Sequence, residues 1–177
     1  DEAHERHLDS DLGLALALES RAVLRDDLRV LVMSATIDGA RFAQLLGADT
    51  QVIESAGRAH PLQIRWFGSS PQLQEDAMAQ AVTSPWREEQ GDILAFLPGV
   101  REIERVRERL EARLPSALVL PLHGQVDPAG QRAAIRRDAE GRRRIVLATA
   151  IAETSLTLDG VSVVVDAGLS RRAEFDR

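Results

Sequence analysis

Residues 93–114, ILAFLPGVREIERVRERLEARL, set a short apolar run, Ile93 to Leu97, against a Pro98-Gly99 turn and a long stretch from Val100 to Leu114. The run is apolar at every position, which reads as a strand covered on both faces. The stretch after it is dense in Glu/Arg pairs at helical spacing, the mark of a helix with a solvated face. The same alternation runs outward in both directions. Upstream, Leu8, Leu12, Leu16 and Val23 share one helical face, and the β-rich run Val30 to Met33 follows. Asp38 to Leu46 reads as a helix with Asp38 as N-cap and Gly47 as its stop. Gln51 to Glu54 and Leu62 to Phe67 read as strands on either side of Gly57-Arg58-Ala59-His60-Pro61, the best linker candidate. Gln72 to Val82 reads as a helix. Downstream come strand Leu118 to Leu120, helix Ala129 to Arg137 and strand Ile145 to Ala148, then a short helical segment near Ala152 and strand Val161 to Val165. Short apolar strands alternating with helices predict an α/β fold on a parallel sheet, with Leu, Val and Ala positions as core.

Composition narrows the function. The chain has 177 residues, 28 acids against 22 basic residues, and a formal charge of −6; every basic residue is Arg. That balance speaks against a polybasic arm gripping nucleic acid, though a local Arg-lined cleft is compatible with it. With aromatics at 3% and no Tyr, base stacking on aromatic platforms has little to work with. Any nucleic-acid contact is expected at the backbone. There is no Cys, and only His4, His7, His60 and His123 supply imidazoles, so a zinc enzyme is thinly provisioned. The longest apolar run, Leu12 to Leu18, is far short of the ~20 residues of a membrane helix, and no signal peptide is read at Asp1. A cytoplasmic protein without membrane contact is expected.

In a parallel α/β sheet, ligands sit beyond the carboxyl ends of the strands. Three polar clusters fall there: Ser34-Ala35-Thr36, Pro98-Gly99, and Thr149 onward. At the start, Asp1-Glu2-Ala3-His4 pairs two acids that can divide labour, one on a hydrated Mg²⁺ and one on a water. A solvated acidic terminus would account for that pair equally well. Asp9 to Gly13 has part of a calcium loop without its closing Glu and reads as a helix start. His4 and His7 do not have the spacing of a zinc-binding helix pair. For Arg142-Arg143-Arg144, phosphate steering and a solvated loop stand side by side, and His123 lines a cleft or serves the fold.

Taken in order, DEAHER, VLVMSATIDGARFAQLLG, GRAHPL, ILAFLPGVREI, LPLHGQVDPAGQ and IVLATAIAETSLTLDGVSVVVDAGLSR resemble the DEAH-box ATP-dependent RNA helicases, most of all their bacterial HrpB-type members. IAETSLT behind its strand is the specific motif; DEAH and SAT are short strings. The resemblance implies RecA-like (P-loop NTPase) domains, with residues 1–57 the C-terminal half of a first and residues 58–177 an incomplete second. It implies ATP between the domains and an RNA single strand across both. Asp1 then matches the Mg²⁺-coordinating acid, acting through water, and Glu2 the group that activates the attacking water. His4 matches the residue coupling nucleotide to an arginine segment; Ser34 and Thr36 match the motif linking hydrolysis to strand separation. Ser155 resembles a γ-phosphate sensor, Thr157 and Asp159 nucleotide-side contacts, Thr149 an RNA-phosphate contact, and Gly99 part of a turn on the RNA backbone.

The chain departs from the pattern in two places. Ala150 stands where many relatives have Asn, and Pro98 replaces the Thr of eukaryotic members; each removes a polar group on the RNA side. The resemblance also implies a Walker A loop upstream and a QRxGRxGR segment downstream, so these residues by themselves are expected to be inactive. Two alternatives share the motifs: a translocase or remodeller acting on DNA or ribonucleoprotein, and a degenerate nucleotide-gated scaffold. The intact Asp1-Glu2 pair disfavours the scaffold, which needs no water-activating acid. Protein partners are not legible.

Overall fold

The computed structural model describes residues 2–34, 39–47, 49–55, 57, 60–68, 74–149 and 157–169. The chain divides into two units, Asp1–Gln63 and Ile64–Arg177.

The second unit holds the parallel sheet that the apolar runs predict. Strands β1 (Asp92–Phe96), β2 (Leu118–Leu122), β3 (Arg144–Ala148) and β4 (Val161–Asp166) stand in the order β2-β3-β1-β4. All three pairings are parallel, with Ile93 opposite Ile145, Leu118 opposite Arg144 and Ile93 opposite Val163. Parallel neighbours need crossovers. Helix α4 (Val100–Arg113) joins β1 to β2, and α5 (Pro128–Ile135) joins β2 to β3. The side-chain period of two splits the core between the faces. Ile93, Ala95, Ile145 and Leu147 meet Val82 of α3 (Gln74–Glu88) and Ile103, Val106 and Leu110 of α4. Leu94, Val146 and Ala148 meet Ala134 of α5, with Leu158 packed against them. The solvated side of α4 carries ion pairs such as Arg107 with Glu111.

Helix α3 outruns its predicted end at Val82 and continues through Pro85 to Glu88. Proline near a helix end forfeits one backbone bond. The last turn is held nonetheless by Thr83, which donates to Ala79 C=O at 2.7 Å, and by Trp86 against the core.

In the first unit the helices form as read: α1 (Leu8–Val23) and α2 (Gly39–Leu46), with Gly47 at φ 123 just past the end of α2. The predicted strands do not. Val30–Met33 and Gln51–Glu54, like Leu62–Phe67 where the two units meet in sequence, carry no strand pairing. Val30–Met33 is tied to the start of the chain by a backbone bond from Ala3 N–H to Met33 C=O at 3.1 Å. A strand exists by its neighbours, and an apolar run by itself cannot supply them. The expectation of a core at every Leu and Val fails here for the same reason. Leu46 is the one buried residue among the described residues of this unit, and the α1 stripe of Leu8, Leu12, Leu16 and Val23 is exposed.

Candidate functional site

The 3₁₀ turn Ala3–Glu5 lies against the 31–34 segment through the Ala3–Met33 backbone bond. The turn brings the His4 ring to Ser34: Nδ1 and Oγ are 2.8 Å apart. Glu2 Oε2 lies 3.4 Å from the same Nδ1, and Glu5 Oε1 lies 3.5 Å from Nε2. Two motifs separated by thirty positions in the sequence, DEAH and the serine of SAT, thus meet in one cluster. Glu2 sits in the left-handed region at φ 53, ψ 40. A non-glycine residue there costs about 1–2 kcal/mol, and such strain is concentrated at functional positions. Its side chain is about a third exposed (35%). Asp1 and Thr36 lie outside the described residues. Among the described residues no group of three His, Asp or Glu side chains is placed to hold a metal ion.

In the second unit, Gly99 and Thr149 come to the same edge of the sheet. Gly99 is the N-cap of α4 directly beyond β1, and Thr149 follows β3, the hydrogen-bonded neighbour of β1. Leu97 N–H donates to Ala148 C=O at 2.8 Å and Thr149 N–H to Leu122 C=O at 3.3 Å, so three strand ends are laced together there. The chain leaves β1 toward α4 on one face and enters β4 past Leu158 on the other. His123, beyond β2, is buried, and its Nδ1 accepts the Gln125 N–H at 3.2 Å, which fits a turn-forming role.

Thr157 and Asp159 fall at the opposite edge. Both are exposed and precede β4, whose first residue pairs with Asp92 at the start of β1. Five strand residues at ~3.3 Å each put roughly 16 Å between the two edges. The polar stretch from Thr149 onward is expected beyond the carboxyl ends of the strands; Thr149 lies there, whereas Thr157 and Asp159 lie at the amino edge. Ser155 and Ala150 lie outside the described residues.

The run Arg142-Arg143-Arg144 resolves into three jobs. Arg142 is exposed and bonds Asp138, at 3.0 Å through Nη2. Hydrogen bonds from the Arg142 side chain, then from its backbone N–H, pull the Asp138 carboxyl down to about 2. Arg143 caps the Trp86 ring at 4.0 Å and donates to Gly91 and Trp86 carbonyls. Arg144 is wholly buried, paired with buried Asp92: Nε and Nη2 reach Oδ2 at 2.8 and 2.7 Å. Sequence reasoning missed this pair. Its signal was there: one acid and one base, each immediately before an apolar run, on strands that turn out to be neighbours.

The helicase conserved C-terminal domain pattern matches residues 74–176. Over 99% of its length the chain is 47% identical to the ATP-dependent RNA helicase HrpB of Escherichia coli (strain K12) and 38% identical to ATP-dependent RNA helicase DEAH11, chloroplastic, of Arabidopsis thaliana. It spans 22% of the first protein and 10% of the second. The crystal structure of the E. coli DEAH/RHA helicase HrpB superposes with a TM-score of 0.87 at 46% identity, covering 99% of this chain and 23% of that one.

Proposed function

The chain belongs to the helicase conserved C-terminal domain family, and from that membership and its likeness to the E. coli RNA helicase we propose that it is part of a DEAH-box ATP-dependent RNA helicase coupling ATP hydrolysis to movement along, or unwinding of, RNA. The observation that carries the proposal is the His4–Ser34 contact, 2.8 Å between a residue of the water-activating motif and one of the coupling motif.

In this reading Asp1 would be the residue that holds Mg²⁺, through water, which would supply charge neutralisation at the phosphates, and ATP is the substrate whose phosphoanhydride cleavage drives the cycle. Glu2 takes a proton from the attacking water, and its partial exposure and proximity to His4 support that role. His4, Ser34 and Thr36 pass the nucleotide state on. Ser155, Thr157 and Asp159 serve the nucleotide side. Thr149 and Gly99, at the carboxyl edge of the sheet, contact the RNA backbone without reading bases. Residues 1–57 belong to the first RecA-like domain and 58–177 to the second, in a cytoplasmic bacterial protein. Among the described residues no helix is long and apolar enough to cross a membrane.

The test is RNA-stimulated ATPase and strand displacement by the full-length protein, on RNA and on DNA duplexes. Glu2→Gln keeps the shape and removes the base. It should retain ATP binding and lose roughly 10²–10⁴-fold in turnover. Near-normal turnover would remove Glu2 from catalysis, and displacement of DNA alone would favour the DNA translocase.

A further inference from the structure

We propose that Arg144 is a positioning residue that sets the Asp159–Gly160 turn for nucleotide binding; the inference rests on the reading of Asp159 as a nucleotide-side contact. A guanidinium carries its N–H donors in a rigid fork, and in Arg144 all three nitrogens are engaged. Nε donates to Asp92 Oδ2, with Nη2 in ion-pair contact with the same oxygen. Nη1 donates to Ala133 C=O at 3.3 Å and Ala134 C=O at 3.1 Å, and Nη2 donates to Asp159 C=O. One side chain therefore ties together the start of β1, the end of α5 and the turn before β4.

The turn is held from other sides too. Asp159 N–H donates to Ile135 C=O at 3.2 Å, and Asp92 N–H donates to Gly160 C=O at 3.0 Å. Asp92 Oδ1 accepts the Arg144 backbone N–H at 2.8 Å, so the carboxylate is itself fixed. The outcome is a turn with its backbone locked inward and the Asp159 residue exposed. Beside it opens a cleft of about 210 Å³ lined by Gly160, Arg137, Arg142 and Arg143 together with the acids Asp92 and Asp138, the second of which pairs with Arg142.

Lysine at this position keeps the charge and the pairing with Asp92. Its three donors on a single nitrogen cannot span Asp92, the α5 carbonyls and Asp159 together. The experiment compares wild type, Arg144→Lys, Asp159→Ala and the double variant in the full-length protein. It reads KM for ATP, turnover at saturating ATP, and Kd for an RNA single strand without nucleotide. Arg144→Lys should raise KM about tenfold, the worth of one charged hydrogen bond to the turn. Turnover should recover at high ATP. RNA affinity should hold within about twofold, because Thr149 and Gly99 lie at the other edge of the sheet, roughly 16 Å away. The double variant should be no worse than Asp159→Ala, since both act on one turn.

Should Arg144→Lys unfold the protein, Arg144→Met with Asp92→Asn removes both buried charges at once and carries the same expectations. The inference is overturned if KM is unchanged in these variants while Asp159→Ala raises it. It is overturned equally if RNA affinity falls by the same factor as ATP affinity, or if the two substitutions add. A wild-type protein without RNA-stimulated ATPase would instead overturn the proposed function, and the inference with it.

Discussion

Replacing Gly160 by Ala tests the packing at the edge of the sheet that carries Asp159. Gly160 has φ +84, and a Cβ there would lie 2.9 Å from Arg137 Nε and 3.2 Å from Asp92 Oδ2. Two costs are expected. The left-handed backbone costs an alanine about 1 kcal/mol or slightly more. The contacts add a further ~1–2 kcal/mol, because only one neighbour can yield. Arg137 can swing away, whereas Asp92 is gripped by Arg144 at 2.7 and 2.8 Å. The sum is about 2–3 kcal/mol, or a lowering of Tm by roughly 10 °C in a domain of this size. Gly141→Ala is the internal control: φ is +73 there, but nothing lies within 4 Å of its Cβ, so it should cost only the backbone share. The assay is urea unfolding of the chain followed by Trp86 fluorescence, in a Trp66→Phe background that silences the 91% exposed tryptophan. Trp86 reports on this region because Arg143 stacks on it 4.0 Å away. Adding Arg137→Ala should return part of the loss at Gly160 and nothing at Gly141. Equal midpoint shifts for Gly160→Ala and Gly141→Ala would refute the steric reasoning.

Two further outcomes follow from the proposed helicase. Replacing Ser34 and Thr36 together by Ala removes the hydroxyl 2.8 Å from His4 and should impair unwinding more than ATP hydrolysis; equal losses of both activities would make the segment structural. Thr149→Val should weaken binding to unrelated RNA single strands by similar factors, and wild-type affinity should fall with salt at a log–log slope of about −0.7 per neutralised phosphate, since phosphate contacts carry no sequence information. Binding series on homopolymeric and mixed strands would check this, and a strong preference for one sequence that vanishes in the variant would contradict it.

Much of this protein could be read before any coordinates, because local chemistry determines it. The apolar runs at 93–97 and 145–148 are strands covered on both faces, and their stretches became the two central strands β1 and β3. Turn and helix chemistry marked α1, α2 and α4 to within a few residues, and the ordered motifs named the family. What the sequence could not determine was pairing. Val30–Met33 has the composition of a buried strand, yet its fate rests on partners that composition does not encode, and in the structure it carries no strand pairing. The candidate site shows the same division. DEAH and SAT were legible as motifs, but only the fold brings His4 and Ser34 together. Thr149 and Asp159 are ten positions apart in the sequence and occupy opposite edges of the sheet, because a parallel crossover returns the chain to the starting edge before the next strand begins. Arg144 was hidden for a related reason. In the sequence it is the third of three arginines, and only the register of β3 against β1 buries it beside Asp92, where an unpaired charge would be costly and a paired one can hold a turn in place.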